Sequence, residues 1–512
     1  MPDRKNILFI TIDQLRADCL FGALGAHVDL PNMRALAADA VRFERHFSVT
    51  APCGPSRASL LTGQYAMNHR ALRNGTPLRH DTPNLATELR LAGHVPRLFG
   101  YTDTAQDPRA WPPGHPALTT YEYPMAGFEE VVEMRFEQSG PWRAHLAARG
   151  HAAGDHGAIY TPAAPAGRAP RPGDPARYAA ADSDTAFLTD RFLDHMAGLA
   201  GESWCAHLTY IRPHPPLVAP APYHRLVDPA ALPLPARAGT ARDEQALHPL
   251  IAPAQAHFPI DQMVEGLAPL APDDATVQQL RATYLGLAAE VDAHLGRVIG
   301  FLKSTGQYDA TLIVLTADHG EMLGDRHIWG KMSPFDAAFH VPLVIRLPGN
   351  GARAGARVTA MTESVDIAPT ILDWAGRVPP NAMDGRSLLP LLTGAVPPGW
   401  RRHGYSEIDL AEPLSPTVFE KRLGLGPTDA GLAILREDRF TLVEFAADLP
   451  PLLFDHDGAG EFANLAEDPA FSAELARLTR ALLRHRMRHA DQTLALTTIT
   501  PEGPQTVPRG GR

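Results

Sequence analysis

Thr50-Ala-Pro-Cys53-Gly-Pro-Ser-Arg57-Ala-Ser-Leu-Leu-Thr-Gly-Gln-Tyr65 is the stretch around which the rest of this 512-residue chain is organised. Pro55 suits the first turn of a helix, where the N–H it lacks would have no partner, and Ala58 to Leu61 supply a helix-compatible apolar run behind it. Cys53 therefore stands at a helix N-terminus, where unpaired N–H groups favour negative charge. Arg57, one turn on, brings a planar fork of donors suited to phosphate-like or sulfate-like oxygens. The stretch reads as an anion site with a sulfur inside it. A lone cysteine at such a junction is as often a small core hydrophobe, so the reading depends on what the remaining sequence offers.

Composition narrows the function classes. Hydrophobic residues at 45% and charged residues at 20% describe a soluble globular protein. Proline, at 49 residues, is well above its ordinary usage and predicts long, stiff surface loops. The formal net charge of −10 argues against nucleic acid as a partner, which needs a clustered basic excess. It does not exclude a small anionic substrate held by a few basic groups in one cleft. Three cysteines, Cys19, Cys53 and Cys205, are too few for a disulfide framework and fit a reducing, cytoplasmic compartment. The N-terminus starts with positive charge, but its apolar run stops at Asp13, too early for a secretory signal, and no run is long enough to predict a membrane span.

Residues 6–12 form a short apolar run, the signature of a parallel strand buried on both faces, and it ends in Asp13-Gln14. A helix is expected from Pro31 to about Val41, a polar loop over Asn68–Gly75, a helix over Pro83–Leu91 closed by Gly93, and a strand over Val95–Tyr101. Between about 104 and 180 periodicity dissolves, and His151–Arg177 is dominated by Ala, Gly and Pro, as expected of a long excursion that roofs a site. Pattern returns with an amphipathic helix over Asp184–Leu199 and a strand over Trp204–Ile211, which leads into Arg212-Pro213-His214-Pro215-Pro216. A second Pro-rich stretch, 217–272, precedes a long helix marked by Leu280, Tyr284, Leu287, Val291, Leu295, Val298 and Leu302. The most apolar strand, Thr311–Thr316, delivers Asp318-His319; Gly330-Lys331, a strand over Pro342–Leu347 and a helix over Asp366–Trp374 follow. The expected division is a catalytic α/β region over 1–400, with loop-rich insertions near 104–180 and 217–272. A C-terminal α+β subdomain over 401–490, with strands in Gly431–Phe445 and Leu452–Asp455 and a helix over Phe471–His489, precedes an irregular tail over 491–512.

Two Asp-containing pairs at strand C-termini, Asp13-Gln14 and Asp318-His319, sit where open α/β sheets bind ligands. Either alone is an ordinary turn or cap. Together with the Cys53 string they point to a divalent cation held between strand ends.

Cys53-Gly-Pro-Ser-Arg57, followed by Leu61-Thr62-Gly63, resembles the sulfatase signature in which Cys-X-Pro-Ser/Ala-Arg directs conversion of the cysteine to Cα-formylglycine. That family usually carries Asp-Asp in the first pair and Asp-Asn or Asp-Gln in the second; this chain has Gln14 and His319 instead. With Arg-Pro-His-Pro-Pro at 212–216, Asn68-His69-Arg70 and Ala466-Glu-Asp-Pro-Ala470, it resembles the phosphonate monoester hydrolase and phosphodiesterase branch of the alkaline phosphatase superfamily. The resemblance implies an α/β fold with a large, mostly parallel sheet sandwiched by helices. It also implies a metal bound by Asp13, Cys53 as formylglycine, Asp318 and His319, with Mn2+ favoured and Ca2+, Zn2+ or Fe2+ the alternatives.

Arg57 is expected on the formylglycine and an anionic oxygen, and Asn74 on a non-bridging oxygen. His214 and Lys331 are expected beside the leaving-group oxygen, one of them donating a proton, with His214 the first candidate. Gln14 and Tyr101 are assigned to the substrate, with metal contact the open alternative for Gln14. Where that branch has Tyr-Thr-Thr, this chain has Tyr101-Thr102-Asp103, a carboxylate near an anionic substrate. The partners implied are a small anionic ester, a formylglycine-generating enzyme and further copies of the chain in a tetramer or dimer. The competing readings are an arylsulfatase and an unmodified scaffold that binds oxyanions.

Overall fold

The computed structural model describes residues 6–135, 139–151, 154, 156–199, 201–349 and 353–507. Met1 to Lys5, part of the Ala/Gly/Pro stretch within 151–177 and the last five residues lie outside the described residues. Eight strands form one sheet: Asn6–Ile12 (β1), Val41–Phe43 (β2), Pro96–Gly100 (β3), Glu129–Glu133 (β4), Cys205–Tyr210 (β5), Thr311–Thr316 (β6), Leu343–Arg346 (β7) and Arg357–Val358 (β8). Their order is β4-β3-β5-β1-β6-β7-β2-β8. The run from β4 to β6 is parallel throughout, and β7 enters antiparallel to both of its neighbours.

The unbroken apolar sequence of β1 follows from burial on both faces. Leu8, Ile10 and Ile12 pack with Ile313 and Leu315 into a core shared with the helices Asp184–Ala197 and Asp274–Ser304. Ile7 and Phe9 face the other way, with Leu312 and Val314, onto the helices Cys53–Thr62, Leu85–Leu91 and Ile367–Trp374. The sheet is thus sandwiched by helices, as expected. The long helix, capped by the Asp273 carboxylate on the Thr276 N–H, buries every residue of its apolar repeat.

Gly404–Asp409 (β9), Gly431–Arg436 (β10), Phe440–Phe445 (β11) and Leu452–Asp455 (β12) form a separate antiparallel sheet in sequence order, covered by the helix Ser472–Arg488. This sheet is stitched to the segment before Cys53: the Glu407 N–H donates to the Val49 carbonyl at 2.9 Å and the Ser406 hydroxyl to the Ser48 carbonyl at 2.7 Å.

Several expectations are corrected. The second helix stops at Ala38, because Val41 already belongs to β2, an apolar strand that fills the sheet. The loop over Asn68–Gly75 begins within a short helix, Ala66–His69. The region 104–180 is not all excursion: it contributes the edge strand β4 and the helix Gly140–Ala148, whose Trp142 is fully buried. β9 had no advance reading, and the tail contains the hairpin Thr497–Thr500 with Gly503–Thr506.

Candidate active site

Parallel register sets the floor of the site. Thr11 pairs with Thr316 across β1 and β6, so counting two residues on from each brings Asp13 level with Asp318. The Gln14 N–H donates to Asp318 Oδ1 at 3.1 Å and the His319 N–H to the same oxygen at 2.9 Å, which closes the two strand ends against each other.

The Cys53 helix is buried along its whole length and ends at Gly63 in the left-handed conformation. Its signature residues have structural work to do. A Cβ on Gly54 would come within 2.9 Å of Asn74 Oδ1 and 3.1 Å of the Asp103 carbonyl, so only glycine lets the helix start this close to both. The Ser56 hydroxyl donates to the Asp318 carbonyl at 2.5 Å, tying the helix to the end of β6.

Asp13, Cys53, Asp318 and His319 each offer one ligand atom within 4.8 Å of all the others, and all four residues are buried. The His319 Nδ1–H donates to the Gly320 carbonyl at 3.0 Å, which leaves Nε2 as the lone-pair nitrogen, aimed at Cys53 Sγ (3.1 Å), Asp13 Oδ1 (3.8 Å) and Asp318 Oδ2 (3.9 Å). Asp318 Oδ2 lies 2.9 Å from Arg57 Nε as an ion pair, without the alignment of a hydrogen bond. A buried carboxylate oxygen lacking a hydrogen bond, an oriented imidazole and a second carboxylate make a donor set that fits a divalent cation. Cys53 Sγ stands where the sequence reading expects a formylglycine oxygen. Burial would lift the Asp13 carboxyl, but His214, Arg57, His319 and Lys331 together hold it well below the usual carboxylate range. Burial, with Asp13 adding to it, pushes the Cys53 thiol well up.

Arg57 departs from expectation. It is 1% exposed and does not line the cleft. Its guanidinium donates to Thr209 Oγ1 (2.6 Å), Asp13 Oδ2 (3.1 Å) and Tyr101 Oη (3.0 Å), pairs with Asp318, and lies over the Tyr101 ring with Cζ 4.1 Å from its centroid. The Tyr101 hydroxyl in turn donates to Asp13 Oδ2 at 2.5 Å. Arg57 therefore acts behind the carboxylates, orienting and neutralising them. The reason is local: burial disfavours its charge, but Tyr101, Asp318, Asp13 and Asp103 surround it and together outweigh that burial.

The residues assigned to substrate and leaving group meet at a cleft of 830 Å³, which Asp13, Gln14, Cys53, Asn74, Tyr101, His214 and Lys331 all line. Asn74 Oδ1 accepts the Gly54 N–H at 2.9 Å, which turns its amide NH2 away from the helix start as a donor. Lys331 Nζ donates to Gln14 Oε1 at 2.8 Å and to His214 Nε2 at 3.2 Å. The His214 Nδ1–H donates to the Pro215 carbonyl at 2.6 Å, so Nε2 is the acceptor. Burial, then Lys331, pushes the His214 imidazole down to about 3, whereas the anionic groups around Lys331 overcome burial and raise its ammonium.

The cleft wall comes from the second Pro-rich stretch, through His257, Phe258, Met263 and Val264, and from Leu410 and Ala411 after β9. From the first excursion it takes Tyr121 and Glu122, while none of the described residues within 151–177 is on the lining. Asp103 also lines the cleft, 3.6 Å from Arg57 Nε. Burial, opposed by Arg57 and reinforced by Glu122, lifts its carboxyl well above the usual range. Sequence reasoning missed Thr209, Ser56 and Glu321 as site residues. Glu321 stands in the same string as Asp318-His319 and was legible there as a third acidic residue at a strand end.

A family model described as Sulfatase matches residues 5–377. The solved structure of a phosphonate monoester hydrolase from Silicibacter pomeroyi superposes with a TM-score of 0.97 at 63% identity, covering 99% of each chain. A multifunctional alkaline phosphatase superfamily protein, PehA of Trinickia caryophylli, is 38% identical over 98% of each chain. The choline-sulfatase of Rhizobium meliloti (strain 1021) is 28% identical over 93% of this chain and 85% of its own.

Proposed function

The chain belongs to the sulfatase family, and on that premise we propose that it is a metal-dependent hydrolase of phosphonate monoesters and phosphodiesters, with sulfate esters as side substrates. The observation that carries the proposal is the convergence of the four buried ligand atoms of Asp13, Cys53, Asp318 and His319 at the floor of one cleft, with Lys331 and His214 beside them. The likeness to the phosphonate monoester hydrolase favours phosphorus esters; the likeness to the choline-sulfatase favours the side activity.

Asp13, Asp318, His319 and residue 53 would hold the cation, and the mixed oxygen and nitrogen set favours Mn2+ over Ca2+, Zn2+ or Fe2+. Bound there, a divalent ion supplies Lewis acidity to the reacting oxygens. Converted to Cα-formylglycine by a formylglycine-generating enzyme, residue 53 would be an aldehyde that adds water to give a geminal diol; one hydroxyl would supply the nucleophile, and deprotonation of the other would expel the bound group and return the aldehyde. The chain's own side chains do the rest. Arg57 and Tyr101 fix the Asp13 and Asp318 carboxylates. The Asn74 amide is the donor for a non-bridging oxygen. Lys331, with two of its three N–H bonds on Gln14 and His214, has a third for the leaving-group oxygen. Because His214 Nε2 accepts from Lys331, the ammonium is the proton source in this arrangement, and His214 holds it in place while its proton passes to the leaving-group oxygen. That reverses the order of candidates drawn from sequence.

The division at residues 400 and 490 stands as a proposal, with the second unit stitched to the first beside Cys53. So do a cytoplasmic location, supported by three buried cysteines without disulfides, and assembly into a dimer or tetramer. No helix among the described residues is long and apolar enough to cross a membrane.

Matched nitrophenyl esters test the reading. The kcat/KM for a phosphonate monoester and a phosphodiester is expected to exceed that for the sulfate, and chelation is expected to abolish all three. A sulfate preference would instead make the chain an arylsulfatase. Turnover surviving complete metal removal would overturn the metal-dependent assignment.

A further inference from the structure

Four side chains at the leaving-group end of the cleft form a hydrogen-bonded line whose direction is fixed at one end. Glu321, 1% exposed, accepts the Leu323 N–H at 3.0 Å and the Gly330 N–H at 2.7 Å through Oε1, which closes the loop that ends at Lys331. Its Oε2 accepts a short hydrogen bond from Gln14 Nε2. A carboxylate can only accept, so the Gln14 NH2 must face Glu321 and Gln14 Oε1 must face the other way, where it receives Lys331 Nζ at 2.8 Å. Lys331 passes a second N–H to His214 Nε2. Were the Gln14 amide reversed, its NH2 would confront the ammonium, donor against donor.

The backbone of Gln14 supports a purpose for this orientation. Its φ is 66°, in the left-handed region that a residue with a long side chain seldom occupies. It is held there by its N–H on Asp318 Oδ1 and by the Tyr284 hydroxyl on its carbonyl at 2.7 Å. Strain of this kind persists where surrounding structure over-determines it, commonly at functional sites.

We infer that Glu321 is a positioning residue for the reaction: by fixing which end of the Gln14 amide faces Lys331, it sets the ammonium against the leaving-group oxygen. The inference rests on the proposed role of Lys331 and adds a residue that acts on it at one remove.

The test is Glu321→Gln. Its side-chain oxygen still accepts the Leu323 and Gly330 N–H groups, so the loop stays closed, but its NH2 now faces Gln14 and forces that amide to turn over. The kcat/KM for an alkyl phosphodiester is expected to fall roughly 10–100-fold, against about threefold or less for the nitrophenyl diester, whose leaving group needs little protonation. Metal content and Tm are expected to stay at wild-type values. In the double variant Gln14→Glu/Glu321→Gln, position 14 accepts from both sides, and most of the alkyl-ester loss is expected to be recovered. A crystal structure of Glu321→Gln gives a readout that needs no turnover: Lys331 Nζ is expected beyond hydrogen-bonding distance of the position 14 side chain. Equal losses on both esters, no recovery in the double variant, or an unmoved Lys331 overturns the inference. If wild-type protein turns over no phosphorus ester, the proposed function fails, while the Lys331 position in the variant crystal still decides whether Glu321 orients it.

Discussion

The floor and the wall of the cleft are built on opposite terms. The floor residues hang on strand ends and on one buried helix, where parallel register, the Ser56 bond and the Arg57 ion pairs leave each side chain one position. The wall is drawn from the Pro-rich segment around Phe258 and Met263 and from the chain after β9. A floor of this kind specifies what chemistry is done, because reacting groups must be held to fractions of an ångström. A loop-built wall specifies which ester is admitted.

The sharpest break of this comparison is at the floor. Cys53→Ala is expected to lower kcat on the order of 10⁴-fold or more while far-UV circular dichroism and Tm stay close to wild type. Asp318→Ala is expected to match that loss and also to lower the metal content measured by elemental analysis; full metal occupancy in that variant would remove Asp318 from the ligand set. Next come the two groups between floor and wall. Lys331→Ala is expected to cost about 10²–10⁴-fold on an alkyl diester and much less on a nitrophenyl ester. His214→Ala should depend less steeply on leaving-group pKa. The reverse ranking in a leaving-group series would restore His214 as the proton donor.

The wall responds more weakly. Phe258→Ala is expected to change the ratio of kcat/KM between a bulky and a small ester by about tenfold, mostly through KM, with metal content unchanged. An equal loss on both esters would show that Phe258 supports the floor instead.

How much of this was legible in the sequence follows the same division. Asp13, Cys53, Asp318 and His319 were readable because apolar strands and a motif announce their position, and the structure brings all four together. Arg57 was readable as a site residue but not as a buried one, since no local pattern tells that three carboxylates from separate segments enclose it. Glu321 lay unread in a familiar string because its partner, Gln14, is 307 residues away. β4 and β9 were missed for another reason: Glu129–Glu133 is a charged edge strand without apolar alternation, and Gly404–Asp409 gains its partners only from the later meander.

A smaller effect lies outside the cleft altogether. Glu290, fully buried in the long helix, has its carboxyl pushed up to about 8 by burial and then by Asp184. A carboxyl whose folded pKa lies above its unfolded value of about 4.3 favours folding most below the unfolded value. Stability should therefore decline as pH rises from about 4.3 to about 8. Glu290→Gln is expected to flatten Tm over that window, raising it at pH 8 relative to wild type and leaving it similar at pH 5. An unchanged slope would mean that Glu290 is already ionised in the folded protein.

The most direct test is a mass measurement on the peptide that contains residue 53, taken from the same active preparation whose metal content is determined. The account predicts a peptide about 18 Da lighter than the thiol form, or nearly unchanged in mass if hydrated, in a fraction that scales with kcat across preparations made with and without a formylglycine-generating enzyme. The hydrated form is told apart from the thiol by its reaction with a carbonyl reagent such as a hydrazine. Fully active enzyme in which residue 53 is unmodified thiol throughout would contradict it.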